Sequence, residues 1–473
     1  MDTIWAPELS GQNGPIYAAI VNQMEIDVRA GVLQVGDRLP PQRELAYKLG
    51  VTLGTVTRAY KEAERRGLAR GETGRGTFIA QRRQTPSPLI PAAEPEGGYD
   101  LGRNFALPHL NPPLELALKG VAKGPHVQRL SSYAPSQGLV HHREMGARLF
   151  AEYFGLGVDA SEIVLTCGAQ HAVQSAVLGL LNEGDTLAVD ELTYPSLLSI
   201  VPRAGRRLVN IALQKPDGPR IGAMDPAALD HACVSQGVRA VFLMPSVHNP
   251  TTHSMTQSEV DALVAVCARH KLLVIEDDPY TPFVGPEALR LPFGKALPDQ
   301  TVSIASVGKL ASAGVRIGYA RAAEPHLSSL RNAVGDSVWM ASPIGAEIIS
   351  YWISDDTLTP VLAAKREELE RRYKLAKRIL GDWFVQGGAD KPFLWLPLGR
   401  DTQGAVVEAE LARQNLRVLG AHHFKAEQRG GLDGLRVSLA TIGPRTGELE
   451  AALELFAKVL AQVERGGRFE PLG

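Results

Sequence analysis

Apolar residues recur every four positions through Ile16, Ile20, Met24 and Val28, with Tyr17 and Val21 beside them, the spacing of an amphipathic helix. Gly31 is placed to end that helix. Pro40 and Pro41 suit the start of a second helix running through Glu44, Leu45, Ala46 and Leu49. Gly50-Val51 forms a tight turn, and Thr52 can N-cap a third helix whose Val56, Ala59, Tyr60 and Ala63 face inward; Gly67 ends it. Short segments around Leu68 and around Thr77-Phe78-Ile79 flank Glu72-Thr73-Gly74-Arg75-Gly76, a hairpin signal. Helix, helix, turn, helix and hairpin make a winged helix-turn-helix.

The pattern then breaks. Pro86, Pro88, Pro91, Pro95, Gly97 and Gly98 mark a spacer of polyproline character, long enough to span roughly 40 Å. After about residue 100, buried-strand runs alternate with helical ones: Ile163 to Thr166, Thr186 to Val189, Val238 to Leu243, Leu272 to Ile275 and Thr301 to Ile304. An apolar helix from Ala172 to Leu181 follows the first run. Val260, Leu263, Val264 and Cys267 fall at helical spacing before the Leu272 run. This predicts an α/β doubly wound sheet with its ligands beyond the carboxyl ends of the strands. Beyond about residue 345, helical runs surround strands at Phe393 to Leu396 and Leu435 to Leu439, a smaller α+β domain. The expected domains are 1–80, a linker over 81–100, a large domain over 101–345 and a small one over 346–473.

Composition adds bounds. A chain of 473 residues, 44% hydrophobic and 21% charged, is an ordinary soluble protein of more than one domain. A formal charge of -1 excludes a globally basic nucleic-acid coat. Cys167, Cys233 and Cys267 lack metal-ligand spacing and read as free thiols in a reducing cytoplasm. His141-His142 and His422-His423 read as surface or packing residues, so no metal site is expected. No run of about 18 apolar residues predicts a membrane helix.

Locally the balance differs. Arg43, Lys48, Arg58, Lys61, Arg65, Arg66, Arg70 and Arg75 make eight cations against four acids, an excess that suits phosphates when combined with helix-turn-helix order. The residues of 14–80 resemble the GntR family of bacterial regulators through Pro15-Ile16-Tyr17, Gly36-Asp37-Arg38-Leu39-Pro40, Arg43-Glu44-Leu45-Ala46, Leu49-Gly50-Val51-Thr52 and Gly74-Arg75-Gly76-Thr77-Phe78. The resemblance implies that Arg43 contacts double-stranded DNA, that the third helix enters the major groove, and that the wing at Arg75 reaches towards the minor groove. Many members carry arginine where this chain has Leu53. Thr52, Thr55, Thr57 and Arg58 remain as donors on that helix.

The candidate chemistry lies in Ser303 to Tyr319. A strand-like approach delivers Lys309 among small residues, with Ser306 three positions before and Arg316 seven after. A lysine amine with a lowered pKa forms a Schiff base with an aldehyde, and serine with arginine suits a phosphate. Aldehyde and phosphate together describe pyridoxal 5′-phosphate (PLP), although a lysine buried against acids is also a common structural feature. Asp277 and Tyr280 follow another strand run, Asn249-Pro250 another, and Gly168-Ala169-Gln170 opens a helix whose N-terminus can receive an anion. Each taken singly is as readily a turn or a cap.

In this order and spacing they resemble the fold-type I aminotransferases over roughly residues 100–465. The resemblance implies that Lys309 carries the internal aldimine, that Asp277 meets the pyridine nitrogen, and that Tyr280 and Asn249 bind the 3-oxygen. Tyr194 would stack on the ring, while Ser306, Arg316 and Gly168-Ala169-Gln170 would hold the phosphate. Tyr133 would reach a neighbouring subunit's phosphate, and Arg436 would clamp a substrate carboxylate. Thr252 stands where the family usually has glycine, and Gly308 where it often has serine.

A GntR-like reader joined to such a module resembles the MocR family of regulators over almost the whole chain. That implies a cytoplasmic homodimer in which an amine or amino acid forms an external aldimine at Lys309 and thereby alters DNA binding. The alternative is a working aminotransferase with an accessory DNA-binding domain.

Overall fold

The computed structural model describes residues 5–7, 15–29, 32–34, 36–65, 68–72, 76–80, 98–216, 218–285, 290–381, 383, 385–398, 404–425, 431–444 and 446–465. Gly31, Arg66, Gly67, Gly74, Arg75 and residues 81–97 of the linker expected over 81–100 lie outside the described residues. The chain divides into two compact units, Met1–Pro86 and Ser87–Gly473.

In the first unit, α1 (Ile16–Arg29), α2 (Gln42–Leu49) and α3 (Leu53–Arg65) are followed by β1 (Ala69–Glu72) and β2 (Gly76–Ile79). Most of the expected inward residues form the core: Ile20, Val21 and Met24 of α1 meet Leu45 and Ala46 of α2 and Val56, Ala59, Tyr60 and Ala63 of α3, with Tyr17 and Val28 partly buried against them, whereas Ile16, at the start of α1, is 50% exposed. Tyr60 is large and buried, and its hydroxyl donates to the Pro40 carbonyl at 2.7 Å, so its polar tip is satisfied. Gly50 ends α2 at φ +65°, and its N–H donates back to the last turn. Thr52 caps α3 as predicted, its Oγ1 accepting from the Thr55 N–H at 3.2 Å. β1 and β2 pair antiparallel from Ala69↔Ile79 to Glu72↔Gly76, the wing hairpin.

The second unit is built on seven strands in the order β4-β10-β9-β8-β7-β5-β6. After the short β3 (Tyr99–Asp100), these are β4 (Ile163–Thr166), β5 (Thr186–Asp190), β6 (Arg207–Ile211), β7 (Val238–Leu243), β8 (Leu273–Asp277), β9 (Thr301–Ser306) and β10 (Gly318–Arg321). β6, β5, β7, β8 and β9 run parallel; β10 is antiparallel to β9 and β4. The sheet is therefore mixed. Strands buried on both faces need continuous apolar runs, and β4, β5, β8 and β9 are buried at every position. Helices α5 (Val140–Phe154) and α6 (Ala169–Leu180) pack on this sheet, while α4 (Leu114–Lys123) packs on the helix Pro343–Ser354.

A second sheet, β11-β14-β13, carries β11 (Phe393–Leu398), β13 (Leu419–Gly420) and β14 (Asp433–Ser438), while β12 (Leu416–Arg417) pairs parallel with β3. It packs with helices Gly404–Arg413 and Thr446–Arg465 around Leu394, Val407, Leu435, Leu453 and Phe456. The 22-residue helix Leu358–Ile379 joins the two sheets' cores through two buried cations. Lys365 donates to Asn111 Oδ1 at 2.9 Å and to the Lys309 carbonyl at 3.1 Å. Seven residues later, Arg372 donates to the carbonyls of Leu439, Ile442 and Gly443, each at 2.8 Å, just beyond β14. No helix among the described residues is long and apolar enough to cross a membrane.

Candidate functional site

The carboxyl ends of the parallel strands open into a cavity of about 430 Å³. Ala169, Gln170, Tyr194, Asn249, Asp277, Tyr280, Ser306, Lys309, Arg316 and Arg436 all line it, so ten residues singled out in the sequence converge there.

Pleating decides which acid serves the cavity. Glu276, Asp277 and Asp278 are consecutive, and neighbouring strand positions face opposite ways. Glu276 and Asp278 turn away from the cavity and find donors: Phe293 N–H at 2.8 Å and Ser303 Oγ at 2.8 Å for Glu276, Ser246 N–H at 2.6 Å for Asp278. Asp277 faces the cavity, and its Oδ1 has no hydrogen-bond partner among the described residues. Burial first, and then the neighbouring Asp278, push its carboxyl up to about 7, against the opposing pull of Lys309. A cationic partner at that oxygen would hold it ionised.

Lys309 sits on a single helical turn, Val307–Leu310, directly after β9. Its amine donates to the Asn104 carbonyl and lies 5.9 Å from the centre of the Tyr280 ring. Burial, then the charges of Arg436 and Arg316, bring it down to about 8, with Asp277 opposing. Such an amine is neutral often enough near neutral pH to act as a nucleophile.

The anion end is built from backbone shape. Gly168 caps α6 at φ +87°, and a Cβ there would meet the Arg316 guanidinium at 3.1 Å. Only glycine leaves that space while adopting that conformation. Arg316 itself is left-handed at φ 57° and donates to the Cys167 carbonyl at 3.1 Å, which sets its guanidinium beside the N-terminus of α6. Ser306 closes the β9 side. A carboxylate with one oxygen unpartnered among the described residues, a buried amine and an anion cradle within one cavity suit a ligand with a cationic ring, an electrophilic carbon and a phosphate.

Arg436 and Asn249 are bonded to each other: Nη1 donates to Asn249 Oδ1 at 2.7 Å and Nη2 to the Gly102 carbonyl at 2.6 Å. Burial lowers the guanidinium to about 10, with Phe393 and Phe424 packed about it at 5.4 and 5.0 Å from their ring centres. Tyr280 is pushed up by burial and accepts from Asn104 Nδ2; burial also raises Tyr194, to about 12. Gly102, Arg103, Asn104 and Phe105 thus line the cavity too, although no periodicity or motif marked them. Thr252 occupies φ 64°, which gives the family's usual glycine there a backbone reason.

Tyr133 does not join this cavity. It is 83% exposed and lies against Trp339, ring centres 5.5 Å apart. His248 is buried between Asp190 Oδ2 at 3.3 Å and Thr251 Oγ1 at 2.7 Å, and His253 bonds Glu259 at 3.1 Å. Of the two histidine pairs, expected as surface or packing residues, His142 is buried and the other three are partly exposed. His141 and His142 converge on Glu347, and His422 and His423 on Glu408. Both glutamates are remote in sequence or on another helix, so pair spacing could not reveal them.

In the first unit, Leu53, Gly54, Thr57, Arg58 and Lys61 share a shallow open face of α3, and Arg43 is exposed on α2. Thr57 Oγ1 donates to Gln42 at 2.7 Å, and the Arg58 guanidinium lies 4.0 Å from the centre of Tyr17. Both side chains are thus engaged within the unit. Thr52 and Thr55 share a hydroxyl contact of 2.9 Å.

Residues 113–454 match the family "aminotransferase class I and II", and residues 16–79 match "bacterial regulatory proteins, gntR family". The chain is 27% identical to the HTH-type transcriptional regulator YdeF of Bacillus subtilis, covering 96% of each chain. It is 26% identical to the vitamin B6 salvage pathway transcriptional repressor PtsJ of Salmonella typhimurium, covering 91% of this chain and 95% of PtsJ. It is likewise 26% identical to the pyridoxine biosynthesis transcriptional regulator PdxR of Corynebacterium glutamicum, covering 86% and 88%. Among solved structures, N-succinyldiaminopimelate aminotransferase from Mycobacterium tuberculosis superposes with a TM-score of 0.68 at 24% identity, covering 77% of this chain and 94% of that one.

Proposed function

The chain belongs to the class I and II aminotransferase family and carries a gntR-family domain ahead of it, the organisation of MocR regulators, and from this we propose a PLP-dependent, DNA-binding transcriptional regulator that senses an amine or amino acid. The observation that carries the reading is that Lys309 and an unpartnered Asp277 oxygen share one cavity in a chain that also bears a DNA-reading fold. When bound, PLP would supply an electrophilic aldehyde and a ring that withdraws electrons once protonated.

The residues divide that work. Lys309 is the amine that would hold the aldehyde, and Asp277 would keep a proton on the ring nitrogen. Tyr280 and Asn249 would hold the ring's oxygen, with Tyr194 across its face. Ser306, Arg316 and the Gly168-Ala169-Gln170 turn would hold the phosphate. An incoming carboxylate would compete with Asn249 and the Gly102 carbonyl for Arg436. Tyr133, exposed beside Trp339, and Leu114, Leu116 and Ile344, also exposed, would face a second copy in a homodimer. On the reader, Arg43, Thr52, Thr55 and Arg75 would meet the operator, in the cytoplasm where DNA is reached, while Thr57 and Arg58 would support that face through Gln42 and Tyr17. A ligand shifts the regulator only by its differential affinity for two states, and a near-complete switch needs about 5.5 kcal/mol.

The test couples absorbance to gel shift. Reconstituted wild type should gain PLP absorbance that Lys309→Ala lacks, and an amine that changes the spectrum should change affinity for the chain's own upstream DNA. Unchanged regulation in Lys309→Ala would sink the reading. Sustained keto-acid production over many turnovers would favour an active aminotransferase with an accessory reader. The names of PtsJ and PdxR suggest a second reading, in which the vitamin itself is the signal; DNA affinity would then respond to PLP and ignore every amine.

A further inference from the structure

We propose that His126, His141 and Glu347 form a site for a divalent transition metal of the zinc class, with His142 as the residue that positions the carboxylate. Four groups from three elements meet here: His126 just ahead of the short helix Val127–Ser131, His141 and His142 in the first turn of α5, and Glu347 on the helix Pro343–Ser354. The donor atoms of His126, His141 and Glu347 all lie within 4.8 Å of one another. The ligands of a tetrahedral zinc ion with bonds of 2.0–2.1 Å stand about 3.4 Å apart, so donors at the outer limit close by about 1.4 Å to take the ion.

The arrangement around the donors is that of a built site. His141 Nε2 and His142 Nε2 converge on a single oxygen, Glu347 Oε2, at 2.7 and 2.8 Å. The imidazoles of His126 and His141 stack with centres 4.1 Å apart and planes 21° apart, so one ring turns out of the stack for both nitrogens to aim at a single ion. His142 is 1% exposed and bonds the carboxylate from the protein side, as outer partners of metal-bound carboxylates do. His126 and His141 are partly exposed, which leaves a route in and one coordination position for water. Imidazole and carboxylate together suit zinc, nickel or copper rather than magnesium or calcium.

The ion would have a structural consequence. His126 and His141 bracket residues 127–140, the segment that carries Tyr133 at its exposed tip. Fixing both ends to Glu347 closes that segment as a loop and removes its freedom in the open state. The site itself stands independently of the regulator reading, because it shares no residue with the Lys309 cavity.

The full-length protein, stripped with a chelator, is titrated with Zn²⁺ by calorimetry and with Co²⁺ by absorbance. In a His422→Ala/His423→Ala background, which removes the similar cluster of His422, His423 and Glu408, one ion per protomer is expected, with visible Co²⁺ bands. Glu347→Gln and the double variant His126→Ala/His141→Ala should abolish it, and His142→Phe should weaken it about 10–100-fold. Because Glu347 is buried, the partly exposed His126→Ala/His141→Ala variant decides the matter if Glu347→Gln does not fold. Saturable binding that survives that double variant, or no saturable binding by wild type, overturns the site. Hydrogen exchange of residues 127–140 should slow on adding Zn²⁺; an unchanged rate overturns the loop closure.

Discussion

The cavity around Lys309 and the open face of α3 handle charge in opposite ways. In the cavity, Lys309, Asp277 and Arg436 are out of water, and their proton affinities are set by burial and by one another. On the reader, Arg43 and Lys61 stand in solvent, where a charge costs little to hold and is screened by salt. A buried cluster can discriminate one small ligand, because each unpaired group penalises the wrong one. An exposed cationic face supplies affinity for any phosphate backbone, and its few base-reaching side chains must supply selectivity.

The largest test of this contrast is a pH slope. Lys309 has its folded-state value lowered to about 8 from 10.5, so between those values the unfolded chain binds more protons. Stability of the cofactor-free protein should therefore rise from pH 8 to 10.5, by up to about 3 kcal/mol. Lys309→Met should lower this slope, while the buried Lys365, itself brought down to about 7, keeps part of it; an unaltered slope would show that the Lys309 amine is not buried in solution. The next effect is Asp277→Asn. Losing a charged partner of the ring should weaken PLP affinity about 10–100-fold in a fluorescence titration, while effector-free binding to operator stays as it was.

Two smaller tests address the reader. Arg43→Ala should cost roughly 1–3 kcal/mol if it reads a base; if it meets a phosphate it should instead lower the salt slope of a gel shift by about 1. Full affinity and an unchanged slope would remove Arg43 from the interface. Thr57→Val should change DNA affinity by no more than about 0.5 kcal/mol, because its hydroxyl already serves Gln42. A loss of tenfold or more would mean that the Gln42 bond is exchanged for one to DNA.

These contrasts also mark what could be read in advance. Strand-end motifs are local: Asp277 and Tyr280 lie three residues apart, and Ser306, Lys309 and Arg316 within eleven, so their convergence followed from one rule about sheets. The three-helix reader was legible because its apolar positions keep a helical period. Asn104 was not, since it reaches Lys309 and Tyr280 from about 200 and 176 positions away in an irregular segment with no pattern. The same holds for Glu347 beneath His141 and His142: two adjacent histidines give no sign of an acid 205 residues on. The antiparallel β10 was likewise hidden, because a buried strand has the same composition in either direction.

The helix Leu358–Ile379 has one further implication. Through Lys365 it grips the turn that carries Lys309, and through Arg372 the backbone that follows Arg436. These two grips are seven residues apart, about 10 Å along a stiff rod. Such a rod ties the backbone that follows Arg436 to the turn that carries Lys309, so a shift at one end would be felt at the other.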